Sequence, residues 1–182
     1  MVETVSRNGN FLINIGPRGD GTIPEWQVDR LQAMGRWLKI NGDTIYGTRY
    51  WKEFAQENEQ LSFTTKGKKL FVIKLATLTS PFTIHATIGW KEDQVKAVRL
   101  LGSDTKVTWT MTSEGLQIEP PKDLGSSQFA WSFEILTDEK QHQPNAILND
   151  ADKMLEHTRR VNLDGHDQGN SSIENTYVLK LA

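Results

Sequence analysis

Two periodicities divide the chain. Val28, Leu31, Met34, Leu38 and Asn41 recur at three- and four-residue spacing, which puts one stripe, apolar except at its last member, on a helical face. From Gln60 onward the period is two. Leu61 and Phe63 share a face; Phe82, Ile84, Ala86 and Ile88 alternate with Thr83, His85 and Thr87; Val107, Trp109 and Met111 form another such set, as do Phe129, Trp131, Phe133 and Ile135. Residues 70–75 and 95–101 are denser apolar runs, and Leu116 and Ile118 follow a turn. Turn signals separate these runs: Lys66-Gly67, Gly102-Ser103-Asp104 and Ser113-Glu114-Gly115. About seven short strands at this spacing predict an antiparallel β-sandwich.

The helix has readable ends. Thr22 offers a capping hydroxyl, Pro24 suits a first turn, and Glu25 suits its positive end. Asn41-Gly42 predicts a stop with the glycine in a left-handed cap. Upstream, Phe11-Leu12-Ile13-Asn14-Ile15 is a short, continuous apolar run, the pattern of a strand buried on both faces in a parallel sheet. Residues 16–21 form a dense turn. Strand, loop and helix together make one β/α unit. A parallel strand needs a parallel neighbour and none precedes it, so residues 1–45 are expected to be the end of a larger α/β domain.

Residues 46–59 read as a connector. Their Tyr46, Tyr50, Trp51 and Phe54 are too apolar for a solvated linker and predict packing between two bodies. The sandwich is expected over 60–137 and a tail over 138–182. In that tail, residues 146–161 could be helical and 177–181 a terminal strand, and neither is imposed.

Composition adds exclusions. Hydrophobic residues make up 37% and charged residues 24%, ordinary for a globular chain. No apolar run approaches the roughly 18–20 residues of a membrane span. A net charge of −2 gives no basic field for nucleic acid or anionic lipid. With no cysteine there is neither disulfide nor thiolate metal site. Residues 1–5 are neither basic nor followed by an apolar core, so they do not read as a signal peptide.

The run Asn8-Gly9-Asn10-Phe11-Leu12-Ile13-Asn14-Ile15-Gly16-Pro17 is similar to the stretch around the final barrel strand of the α-L-fucosidases of glycoside hydrolase family 29. The likeness continues through Asp20-Gly21-Thr22-Ile23-Pro24, Arg30-Leu31, Gly35-Arg36-Trp37-Leu38, Asn41-Gly42 and Ile45-Tyr46-Gly47-Thr48. It is looser at Phe63-Thr64, Lys66-Gly67 and Val98-Arg99-Leu100-Leu101-Gly102. The resemblance implies a mostly β chain: an antiparallel sandwich preceded by the last β/α unit of a (β/α)8-like barrel. It also implies a parent enzyme that removes terminal α-L-fucose from glycans with retention, using a carboxylate nucleophile and a carboxyl acid/base. In that family both lie upstream of the strand that opens this chain, so no catalytic residue is assigned here. The partners implied are the catalytic barrel and, through it, a fucosylated glycan. Localisation stays open, with secreted, periplasmic or lysosomal parents the family habit. The alternative, from a different class, is a non-catalytic carbohydrate-binding or docking sandwich.

Two residues are candidates for substrate contact. Barrel sites lie at the C-terminal ends of strands. With Phe11, Ile13 and Ile15 turned to outer helices, Asn14 points inward near the sugar end, where it can orient a carboxylate or touch substrate. The blander role for Asn14 is to bond backbone in the adjoining turn. Phe11 would line a pocket for the fucose methyl only if the faces are reversed, and core packing suits it better. Glu114 and Glu119 flank a hairpin strand and read as surface charge; His85 reads as solvated. Asp164-Gly165-His166-Asp167 lacks the ligand number and spacing of a calcium or zinc site, so no metal or cofactor is assigned. Trp109 and Trp131 fall in register with apolar neighbours and read as core. Trp90, beside Gly89 and a charged run, is the one tryptophan of these placed for sugar stacking.

Overall fold

The computed structural model describes residues 1–141. Segments 146–161 and 177–181, on which no helix or strand is imposed, and the Asp164–Asp167 cluster lie outside the described residues. A short helix α1 (Val2–Ser6) is followed by an extended stretch without strand pairing, then helix α2 (Glu25–Asn41) and a 3-10 turn, Gly42–Thr44. Eight strands follow: β1 (Arg49–Gln56), β2 (Leu61–Lys66), β3 (Lys69–Lys74), β4 (Phe82–Ile84), β5 (Val95–Leu100), β6 (Thr108–Thr112), β7 (Gly115–Glu119) and β8 (Trp131–Thr137). They make a five-stranded sheet, β1-β2-β3-β8-β5, and a three-stranded sheet, β4-β7-β6, with every ladder antiparallel.

The main core lies between the sheets. Leu61, Phe63, Leu70, Val72, Phe133 and Ile135 from the larger sheet meet Phe82, Ile84, Leu116 and Ile118 from the smaller. Phe82 and Phe133 rings tilt against each other at 5.4 Å, and Trp51 stands edge-on to Phe63 at the same separation. A second cluster covers the other face of the larger sheet, where Ile73 packs with Val2, Trp37, Ile45 and Ala130. The continuous apolar run of β3 therefore has a cause: both faces of its sheet are covered, one by the second sheet and one by helix.

The extended stretch departs from expectation. Residues 11–15 form no strand, since no parallel neighbour offers its N–H and C=O groups. Alternation survives without pairing: Phe11, Ile13 and Ile15 are half-buried, while Leu12 and Asn14 are exposed. The helix ends differ too. Pro24, not Thr22, precedes the first helical residue, and the Thr22 hydroxyl donates to Asp20 instead. Gly42 is right-handed at φ −57° and leads into the 3-10 turn. Its missing side chain serves a close approach, because a Cβ there would lie 2.9 Å from the Tyr46 ring. The expected connector contains β1, joined to β2 with a register shift between Tyr50 and Ala55. The alternating run from Phe82 breaks after Ile84 into a 3-10 turn, His85–Thr87, whose Thr87 hydroxyl donates to the Ile84 carbonyl.

Candidate functional site

The stretch between α1 and α2 is held by short-range bonds of its own. The Gly16 N–H donates to Gln27 Oε1 at 3.0 Å, so the first turn of α2 clasps the loop. Asp20 accepts from the Thr22 N–H at 2.9 Å and from its hydroxyl at 2.7 Å. These bonds hold the Asp20 carboxyl below its ordinary range, and Arg18 adds to the effect. Asn14 Oδ1 accepts the Ile15 N–H at 2.9 Å and is exposed. Phe11 is half-buried two residues before Ile13. No carboxylate is bonded to Asn14 among the described residues.

This stretch and the start of α2 also present apolar surface. Leu12 is 53% exposed, Ile23 37% and Trp26 54%, with the Arg30 guanidinium 4.9 Å from the centre of the Trp26 ring. The far end of α2 is firmly seated. Trp37 is 7% exposed, and Asn41 is fully buried with its amide donating to the Trp37 carbonyl and to Ser127 Oγ. One helix is thus docked at its C-terminal end and bare at its N-terminal end.

The remaining candidates take ordinary places. His85 Nδ1 lies 3.0 Å from the Glu114 carbonyl, beside the hairpin, and Glu119 is exposed at the end of β7. Trp109 and Trp131 pack against the main core. Trp90 is half-buried, its ring edge-on to Trp51 at 6.0 Å. Among the described residues no three acidic or histidine side chains gather as a metal-binding group.

Sequence reasoning overlooked two features. Glu134 sits in β8 at 6% exposure, accepting from Lys69 Nζ and Arg99 at 2.9 Å each. Burial opposes its charge, yet the Arg99 and Lys69 bonds prevail and hold its carboxyl below the usual value. The signal was available, since an acid within Trp131-Ser132-Phe133-Glu134-Ile135 needs a cation. The second is a cavity of about 280 Å³ bounded by Trp51, Lys52, Trp90, Gln94 and residues 137–141. Its walls come from separate elements, so no local pattern announces it.

Comparison with known proteins gives a consistent picture. Residues 1–43 match the family model described as alpha-L-fucosidase. Human tissue alpha-L-fucosidase is 33% identical over 147 residues, covering 74% of this chain and 30% of that protein. Human plasma alpha-L-fucosidase is 37% identical over 133 residues, covering 67% and 27%. The crystal structure of Thermotoga maritima alpha-fucosidase in complex with a mechanism-based inhibitor superposes with a TM-score of 0.64 at 32% identity, covering 74% of this chain and 32% of that one. Alpha-L-fucosidase isoenzyme 1 from Paenibacillus thiaminolyticus gives 0.64 at 30% identity, covering 76% and 33%. The chain therefore spans about a third of the length of the relatives it matches.

Proposed function

We propose that this chain, related in sequence and fold to the α-L-fucosidases over 74% of its length, is the C-terminal portion of such an enzyme and acts by completing its catalytic barrel. The parent hydrolyses terminal α-L-fucosyl linkages with retention. One carboxylate attacks the anomeric carbon, and a second carboxyl group protonates the leaving oxygen and then activates water. Both belong to the barrel, and this chain supplies neither. In this reading residues 1–45 close the barrel, 46–59 join it to the sandwich, and 60–137 form the flank on which it rests.

The observation that carries this reading is the uneven burial of residues 1–43, the part matched by the fucosidase family model. Its far end is locked to the sandwich through Trp37, while Leu12, Ile23 and Trp26 are uncovered and residues 11–15 have no ladder. An extended apolar segment without hydrogen-bonded neighbours and an adjoining bare helix turn fit a parallel sheet with an outer helix ring. Asn14 then lies at the sugar-binding end of its strand, where its amide can orient a carboxylate once it leaves the Ile15 N–H. Phe11 is the alternative contact, for the fucose methyl, if the strand is rotated.

An isolated sandwich with one β/α unit has no positioned nucleophile or acid, and those supply most of the rate of a covalent glycosidase. The purified chain is therefore expected to release no nitrophenol from p-nitrophenyl α-L-fucoside. Release that scales with protein concentration and survives repurification would overturn the reading.

A further inference from the structure

We infer that the free edge of β6 pairs with the same edge of a second copy of this chain, in an antiparallel ladder centred on Thr110. Every group involved belongs to the sandwich, beyond anything the proposed fucosidase role uses. Among the described residues the two sheets end in β1 and β5, and in β4 and β6. An edge strand offers unpaired backbone groups, and folds blunt it with charge, a bulge or a cover. β1 carries Arg49, Lys52 and Glu53 and shifts register between Tyr50 and Ala55. β5 carries Lys96 and Arg99, and Arg99 is bridged by Lys106. The short β4 is capped by the Gln56 amide, which donates to the Thr83 carbonyl and accepts the His85 N–H. β6 has none of these devices. Residues 107–113 hold no charge, proline or glycine, and the ladder to β7 runs without a register shift.

The backbone phase of β6 makes this edge self-complementary. The Leu116 N–H turns away from β6 to the Thr87 hydroxyl at 2.8 Å, so Met111 opposite it is a non-hydrogen-bonded position of the β6–β7 ladder. Bonding alternates along an antiparallel pair, so Trp109 and Met111 both direct N–H and C=O outward. Pairing about Thr110 sets Trp109 of one copy opposite Met111 of the other, and the reverse. Each of these pairs then exchanges both of its backbone hydrogen bonds. Side chains agree with the same register. Thr108 meets Thr112, a favourable cross-strand pair, and Thr110 meets itself. The exposed Lys106 of one copy comes toward the exposed Glu114 of the other, at both ends of the ladder. A parallel arrangement would set Lys106 beside Lys106 and Glu114 beside Glu114. Charge thus selects the antiparallel, two-fold pairing.

A ladder of 5 residues buries less than the roughly 1,200 Å² of a standard complex, so the dimer is weak. Sedimentation velocity of the full chain across roughly 10 µM to 1 mM tests it. The weight-average mass is expected to rise with concentration toward that of a dimer. Thr110→Lys and Thr110→Glu, changes at an exposed side chain, each set like charges face to face and should abolish the rise. An equimolar mixture of the two variants should restore it, since lysine then faces glutamate. The cysteine-free chain allows a second readout. Thr110→Cys should cross-link to itself under mild oxidation, because facing Cα atoms of a non-hydrogen-bonded pair lie about 4.5 Å apart. Thr108→Cys should cross-link at least about tenfold more slowly, its counterpart lying roughly 14 Å away. A mass independent of concentration, as when another segment of the chain occupies the edge, would overturn the inference. So would association untouched by Thr110→Lys, no restoration in the mixture, or equal cross-linking at the two positions. None of these outcomes depends on hydrolysis, so failure here leaves the fucosidase reading to its own assay.

Discussion

The Trp37 indole donates to the Ala130 carbonyl at 2.9 Å, joining α2 to the segment that enters β8 across 93 residues of sequence. Around that bond Trp37 packs with Val2, Ile45 and Ile73, so it is both the polar and the apolar fastener of the helix. The carbonyl is doubly served, since Ser127 Oγ also donates to it at 2.7 Å.

Separate variants therefore resolve the two contributions. Trp37→Phe keeps most of the packing and leaves the Ala130 carbonyl with its serine donor, so the expected loss is about 1 kcal/mol. Trp37→Ala opens a cavity and should cost about 3–5 kcal/mol. Urea denaturation monitored by circular dichroism measures both. Equal losses would mean that the helix is not held through this side chain.

Glu134 makes stability depend on acid. Its folded carboxyl titrates below its unfolded value, because hydrogen bonds and charge from Arg99 and Lys69 outweigh burial. For a depressed carboxylate the stabilisation is whole above the unfolded pKa, about 4.3 for glutamate, and drains as pH falls through the folded one. The wild-type melting temperature should consequently fall between about pH 5 and pH 3, and Glu134→Gln should flatten that fall while starting lower at neutral pH. Parallel pH profiles of the two proteins would show that this triad contributes nothing to acid sensitivity.

Bare apolar groups at the N-terminal end of α2 predict a solubility effect without a stability effect. Leu12, Ile23 and Trp26 contribute little to either core cluster, so replacing all three by serine should change unfolding free energy by less than about 1 kcal/mol and reduce self-association. Removing residues 1–24 is different. It also deletes Val2 and Val5 from the second cluster, and a cooperative transition should survive with a loss of about 1.5–3 kcal/mol for the valine burial. Thermal melts and light scattering of the two variants separate these cases; loss of a cooperative melt in the truncation would make the helical layer essential to the sandwich.

What the sequence disclosed follows from how local each cause is. Alternation in Phe63, Trp109, Ile118 and Phe133 is written residue by residue, and those strands were legible. Lys66-Gly67 and Ser113-Glu114-Gly115 specify turns by themselves, with Gly67 and Gly115 at positive φ. The failures are places where the cause lies elsewhere in the chain. Residues 11–15 carry a strand pattern but no ladder. β1 is mixed in character because one stretch of it bulges from β2, and α1 is a single turn that exists by packing Val2 against the second cluster. Of the candidate residues, Asn14 was placed near a turn, but the clasp from Gln27 depends on a helix 11 residues on. The cavity beside Trp90 was legible only through that residue, since Gln94 and Gln141 join it through the fold.

Three backbone positions predict opposite outcomes from changes of similar size. Gly102 has φ +79°, and a Cβ there would fall 2.4 Å from Ile40 Cγ2; Gly125 has φ +67°, and its Cβ would fall 2.2 Å from the Gly102 carbonyl oxygen. A side chain is strained twice over at each, by conformation and by contact. Gly125→Ala should be the worse, because its obstacle is backbone whereas Ile40 can turn. Gln60 is the converse: an exposed non-glycine residue at φ 51°, ψ 45°, closing a 3-10 turn with its N–H donated to Glu57 and its carbonyl accepting from Leu75. Those bonds use only backbone, so Gln60→Gly keeps them and removes left-handed strain of about 1 kcal/mol, less part of that in chain entropy. Gly125→Ala should lose at least about 2 kcal/mol and Gly102→Ala somewhat less, while Gln60→Gly is neutral to stabilising, all read as shifts in the urea midpoint. If Gly125→Ala proves harmless, the 121–130 loop does not rest on Gly102, and the seat of Trp37 against Ala130 loses its support from that side.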